Sequence, residues 1–168
     1  LAEALDPVLL MEGSAVAVAG NHEYVCGTPE FLRPILDRVN TKLLRNELWV
    51  HQGIQWIGID SANAHRANPF LAMQDMSDDP AVVLWHEPDV VEWLPDGADL
   101  MLSGHTHGGQ FRFPGGIVPM TTENGRRYLD GWFPEAPTPL FVTRGIGTTG
   151  PPSRFLCAPQ VAILNLIA

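Results

Sequence analysis

Three short apolar runs, each ending in residues able to ligate a metal, constrain this 168-residue chain more than any other feature. Ala15-Val16-Ala17-Val18-Ala19 leads into Gly20-Asn21-His22-Glu23, and Ala81-Val82-Val83-Leu84-Trp85 leads into His86-Glu87-Pro88. The stretch Ala98 to Leu102 leads into Ser103-Gly104-His105-Thr106-His107-Gly108-Gly109-Gln110. Short continuous apolar runs bounded by turn residues suit strands buried on both faces. Ligand sites in open α/β sheets gather just past the carboxyl ends of their strands, which is where all three ligand-capable groups fall. Two histidines two apart in extended backbone point to the same side. His105 and His107 are therefore expected to face a common centre, such as a pair of metal ions ~3.5–4 Å apart. Glycines on either side leave room for backbone to approach an ion or a phosphate. A lone His-x-His is usually just a polar turn, but three such junctions in one chain argue against that reading.

In order and approximate spacing, Gly20-Asn21-His22-Glu23, His86 and Gly104-His105-Thr106-His107 resemble the calcineurin-like metallophosphoesterases. Gly108-Gly109-Gln110 and Thr143-Arg144-Gly145-Ile146-Gly147-Thr148 are similar to the bacterial YkuE-like branch, often associated with the cell envelope. The resemblance implies an α/β fold: a sandwich of two mixed β-sheets flanked by helices, here partial, with its amino-terminal strands missing. Residues 1–168 would form the carboxyl-terminal portion of a single domain. It also implies a phosphoesterase that hydrolyses a phosphodiester or pyrophosphate bond at a centre of two divalent ions (Mn, Fe or Zn). Asn21, His86 and His105 would hold one ion together with a bridging Asp, and His107 would hold the other. His22 would be catalytic, protonating the leaving group, for which an imidazole with a pKa of about 6.5 is suited. The implied partner is a small phosphoester, lipid-linked ones included.

The family begins with an Asp-x-His and a Gly-Asp-x-x-Asp, and neither precedes Asn21 here. The chain is therefore expected to be the carboxyl-terminal part of a longer protein, with Leu1 to Leu10 as the tail of a preceding helix. The alternative is a non-catalytic fragment that binds at most one divalent ion through Asn21, His86 and His105. A mononuclear zinc hydrolase with an open site ranks third. A core lacking two strands is also expected to expose apolar surface and unpaired edges, and so to self-associate.

The remaining features set bounds. A formal charge of −9 argues against nucleic acid as a partner, because phosphate backbones demand basic patches. Cys26 and Cys157 form neither a metal-ligand spacing nor a disulfide framework and are expected to be partly buried thiols. No apolar run approaches the roughly 20 residues that span a membrane. Pro29 to Val39 carries a helical pattern with Thr28 as cap, which Pro34 either kinks or divides into two short helices. Leu48–Val50 and Ile54–Ile59 read as a hairpin around Gln52-Gly53. Pro69 to Met76 reads as a short helix, and Leu140–Thr143 and Val161–Leu166 as late strands. Asp60 lies on the wrong side of Asn21 in chain order for a bridging carboxylate, which leaves it a loop or cleft-rim role. His51 and His65 match no ligand position. Arg144 either contacts a substrate phosphate or fixes its loop by hydrogen bonds. Phe111, Phe113, Trp132 and Phe133 either rim the site for a lipid-linked substrate or pack its loops.

Overall fold

A computed structural model describes residues 7–8 and 14–167. The helix tail expected over residues 1–10 falls outside the described residues, apart from Pro7 and Val8. Strands β1 (Ala15–Ala17) and β2 (Thr41–Leu43) form a two-stranded parallel sheet. A six-stranded mixed sheet is built from β3 (Glu47–His51), β4 (Ile54–Ile59), β5 (Ala81–Trp85), β6 (Leu100–Ser103), β7 (Gly131–Phe133) and β8 (Leu140–Val142). Its order is β3-β4-β5-β6-β8-β7. The hairpin between β3 and β4 turns at Gln52 and Gly53, both at positive φ (53° and 76°). A positive φ at both central residues matches the right-handed twist of the flanking strands. The central pairs β4–β5, β5–β6 and β6–β8 are parallel, while the edge pairs β3–β4 and β7–β8 are antiparallel.

One register row crosses the whole sheet: Leu48, Ile57, Val83, Met101, Leu140 and Phe133. Its four central members are fully buried and form the main core with Ile59, Trp85, Val90, Val91 and Val142. The opposite face carries the row Gly58, Leu84, Leu102, Phe141 and Trp132. This face is apolar too, as the uninterrupted runs required. Its cover thins toward β7, where Trp132 is 53% exposed. Self-association through this face is the expected result, and sedimentation velocity checks it: a monodisperse monomer at high concentration would rule it out.

Over Pro29 to Val39 the pattern breaks into two short helices, as Pro34 allowed: a 3₁₀ turn (Pro29–Leu32) followed by α-helix (Arg33–Arg38), with Pro34 in the first turn of the second piece, where a missing N–H costs nothing. Several expectations need correcting. Thr28 stands at the cap position, but its side chain makes no cap hydrogen bond. The helix begun at Pro69 ends at Met73, and Asn68 Oδ1 caps it by accepting from Leu71 N at 3.1 Å. Val161 to Leu166 forms no strand: Val161 and Ile163 are 82% and 91% exposed. Alternating apolar residues supply a face, but a strand exists only in its ladder, and no described segment pairs with this one. Trp132 and Phe133 lie in β7. Cys26 is exposed, whereas Cys157 is buried against the carbonyls of His107 and Gly108.

Candidate metal centre

Because β4, β5, β6 and β8 run parallel, their carboxyl ends share one edge of the sheet. The chain leaves them as Asp60-Ser61, His86-Glu87, Gly104-His105 and Thr143-Arg144. A five-residue helix, α1 (Asn21–Val25), brings Asn21 and His22 to the same edge. Its entry is fixed by Gly20, whose N–H donates to Glu23 Oε2 at 2.8 Å. A Cβ on Gly20 would lie 2.7, 2.8 and 2.9 Å from Nε2, Cε1 and Cδ2 of His86, so only glycine lets this backbone press against the imidazole. Gly20→Ala is expected to swing the His86 ring away and cost about 1–3 kcal/mol in overpacking. Urea unfolding and a His86 imidazole NMR shift check this, and an unmoved resonance would contradict it.

The His-x-His pair is not on extended backbone, contrary to expectation. β6 ends at Ser103, and His105 and His107 both adopt left-handed conformations, with φ of 66° and 52°. Histidine is among the few non-glycine residues enriched there. The turn is held by Thr106, whose N–H donates to Gly104 O at 2.7 Å and whose hydroxyl accepts from Gly108 N at 3.1 Å. That hydroxyl also donates to Leu129 O at 2.5 Å, which ties the turn to a distant loop. Tertiary bonding therefore decides the direction of the two imidazoles, not strand alternation.

The rings of His86 and His105 meet edge to face, with centroids 4.8 Å apart. Burial pushes the His86 pKa down to about 3, helped by the neighbouring His105, His107 and His22, so its ring is neutral at physiological pH. Burial also lowers the pKa of His105. His22 and His107 are near enough to act electrostatically on both rings. His22 itself is exposed. The side-chain oxygen of Asn21 is buried with no hydrogen-bond partner. Such an orphan costs about 1–3 kcal/mol, so it demands a reason. Among the described residues, no group of three or more His, Cys, Asp or Glu side chains converges as a cation site by itself.

The carboxylates nearby have other work. The buried Glu87 accepts from Ser61 Oγ, from Ala62 N at 3.0 Å and from Asn63 N at 3.4 Å. It thereby pins the loop that sets Asn63 beside His105. Asp89 accepts from the backbone N–H groups of Arg126, Arg127 and Tyr128, which orders the segment that offers the Glu123 carbonyl to His105. Asp60 is engaged by Arg45 through Nε and Nη2, and the same guanidinium reaches Glu30 and Tyr24. Arg144 faces Asp130, with Nε 3.6 Å from Oδ2, and Asp130 also pairs with Arg112. His51 stacks on Trp49 at the other end of the sheet, and His65 is exposed in the loop after β4. A concavity of about 510 Å³ lies at the opposite end of β5 and β6. Its lining includes Asp78, Asp79, Asp96 and Asp99, which would repel a phosphate.

Sequence reasoning gave no role to Asn63, the Glu123 carbonyl or Arg154. Arg154 donates to the carbonyls of His107, Arg144 and Gly147 at 2.9, 2.8 and 2.6 Å, clasping the His-Thr-His turn to the loop after β8. None of the three belongs to a recognisable spacing. Each acts through backbone contacts that no local pattern encodes.

Comparison with known proteins decides the family. Over 159 residues, 89% of the chain, it is 33% identical to an uncharacterised metallophosphoesterase of Helicobacter pylori, spanning 42% of that protein. Over 158 residues, 90% of the chain, it is 31% identical to phosphodiesterase YaeI of Escherichia coli, spanning 57% of it. The chain belongs to the metallophosphoesterase superfamily. A third metallophosphoesterase, YkuE of Bacillus subtilis, is 38% identical over 87 residues, which cover 51% of this chain and 30% of that protein. The chain thus spans less than two thirds of the length of each of these relatives. Membership of the metallophosphoesterases implies dependence on a divalent metal. No protein-family profile matches the chain, and no solved structure matches it.

Proposed function

We propose that this sheet edge is part of the metal centre of a phosphoesterase that cleaves a phosphodiester or pyrophosphate bond. Asn21, His86 and His105 would hold one divalent ion, and His107 a second. The single observation that carries this reading is the buried, partnerless Asn21 oxygen, in the residue after the Gly20 that lies against the His86 ring. An amide oxygen and neutral imidazoles suit Mn, Fe or Zn. They also add no negative charge, so a bound cation would keep its attraction for phosphate. When bound, such ions supply Lewis-acid activation of water and neutralisation of phosphate oxygens. The family's two-sheet sandwich, formed as a single domain, accounts for the apolar second face of the large sheet.

The remaining roles belong to side chains of the chain itself. His22, exposed at the start of α1, would donate a proton to the departing oxygen. Arg144, with Nε not hydrogen-bonded, would contact a phosphate oxygen at the cost of its contact with Asp130. His22→Ala is expected to leave manganese affinity unchanged while slowing turnover of an activated phosphodiester ~10²–10⁴-fold. Calorimetry beside steady-state kinetics measures both; lost metal would make His22 structural, and unchanged turnover would remove it from catalysis.

A lipid-linked substrate is the second reading, favoured by the apolar rim beyond Gln110. There Phe113 and Phe155 pack with tilted rings, centroids 5.9 Å apart, and Ile117 and Met120 are exposed. Equal turnover of short-chain and long-chain diesters would dismiss it.

A further inference from the structure

Gln110 is buried three residues beyond His107, in the same turn and likewise at positive φ. A distant loop fixes the orientation of its amide. Oε1 accepts from Thr149 N at 2.9 Å, while Nε2 donates to Thr149 O at 3.0 Å and to Pro151 O at 3.3 Å. A backbone N–H can only donate and a carbonyl can only accept, so the amide cannot be reversed. The atom it turns toward His107 is Oε1, 3.1 Å from Nδ1. An amide oxygen only accepts, so Nδ1 carries the proton and the lone pair of the neutral ring sits on Nε2.

His105 is held the opposite way. Its Nε2 lies 2.8 Å from the carbonyl of Glu123, which makes Nε2 the donor and leaves Nδ1 bare. Asn63 Nδ2 lies 3.3 Å from that nitrogen and 3.1 Å from the same carbonyl, a second donor aimed at Glu123 O. The two imidazoles of the His-Thr-His turn thus offer different nitrogens. His105 offers the short arm of the ring and His107 the long one, so neighbours in sequence reach different depths.

We propose that Gln110 is a positioning residue that locks His107 in the Nδ1–H tautomer and so commits its Nε2 to the metal centre. The commitment to metal rests on the function proposed above; the lock itself does not. Arg154 holds the His107 carbonyl independently, so backbone and ring are fixed by separate residues. Outer partners of this kind set ligand orientation and basicity, and their loss typically costs about 10–100-fold in metal affinity.

The test is a long-range proton–nitrogen correlation spectrum of the histidines in the metal-free full chain. It is recorded near about pH 8, where rings with ordinary pKa values are neutral. The native protein should show His107 protonated at Nδ1 and bare at Nε2, with His105 showing the reverse. In Gln110→Leu, His107 should shift toward the Nε2–H form favoured by free imidazole, while His105 stays unchanged and reports an intact turn. Native His107 protonated at Nε2 would overturn the proposal, as would an unshifted His107 in Gln110→Leu. Should Gln110→Leu disturb both rings, Gln110→Glu decides, because it keeps an acceptor oxygen facing Nδ1. His107 must then remain Nδ1–H, and any other state sinks the lock. Manganese calorimetry on the same samples should show about 10–100-fold weaker binding in Gln110→Leu. A native Nδ1–H tautomer without metal uptake would leave the lock standing and overturn the metal reading.

Discussion

His86→Ala is expected to weaken manganese binding by more than about a hundredfold, beyond the cost of losing an outer partner. His86 is the first residue past β5, and its ring lies against the α-carbon of Gly20 and edge-on to His105. It therefore joins the Asn21 segment to the His-Thr-His turn. Its pKa, held down by burial, keeps the ring unprotonated well below neutrality, so a cation meets a ready ligand and displaces no proton. The sheet beneath does not depend on the ring, and circular dichroism should report an unchanged fold. Isothermal titration of native and variant protein measures the effect. Binding retained within a few-fold would remove His86 from the centre.

The largest loss of stability is expected from Gly58→Ala. Gly58 lies in β4 on the second face of the large sheet, where the small sheet docks. A Cβ there would overlap Leu44 Cβ and come within 3.1 Å of Val18 Cγ1 and 3.2 Å of the Leu44 carbonyl carbon. One of these neighbours is backbone, so no rotamer change relieves the clash. Leu44 N also donates to Ala17 O at 2.9 Å, alongside the β1–β2 ladder, so moving Leu44 strains that pairing. Overpacking costs typically about 1–3 kcal/mol, and this site belongs at the upper end. Since β1 feeds directly into Gly20-Asn21-His22, manganese affinity should fall together with the urea midpoint. A variant as stable as the native protein would mean that the two sheets do not pack here.

These effects bear on how far the sequence could be read. β5 and the β3–β4 hairpin were legible because their signals are local: an apolar run between turn residues, and Gln52-Gly53 at a reversal. The meeting of His86 and His105 was legible, since β5 and β6 run parallel and end beside those residues; the approach of Gly20 to the His86 ring was not, since β1 belongs to the smaller sheet. The conformation of the His-Thr-His turn was not, because it depends on Thr106 reaching Leu129 and on Arg154 reaching the His107 carbonyl. Val161 to Leu166 misled for the converse reason: its alternation is local, but a strand needs a partner. Gln110 was visible within Gly108-Gly109-Gln110, yet its function lies in contacts with Thr149 and Pro151, far along the chain.

The most direct measurement is manganese bound per chain, by calorimetry and by metal analysis after removal of loose ions. At least one tightly held ion per native chain, and none in His86→Ala, is the expected result. No uptake by the native chain, or equal uptake by the variant, would contradict a metal centre built on Asn21, His86 and His105.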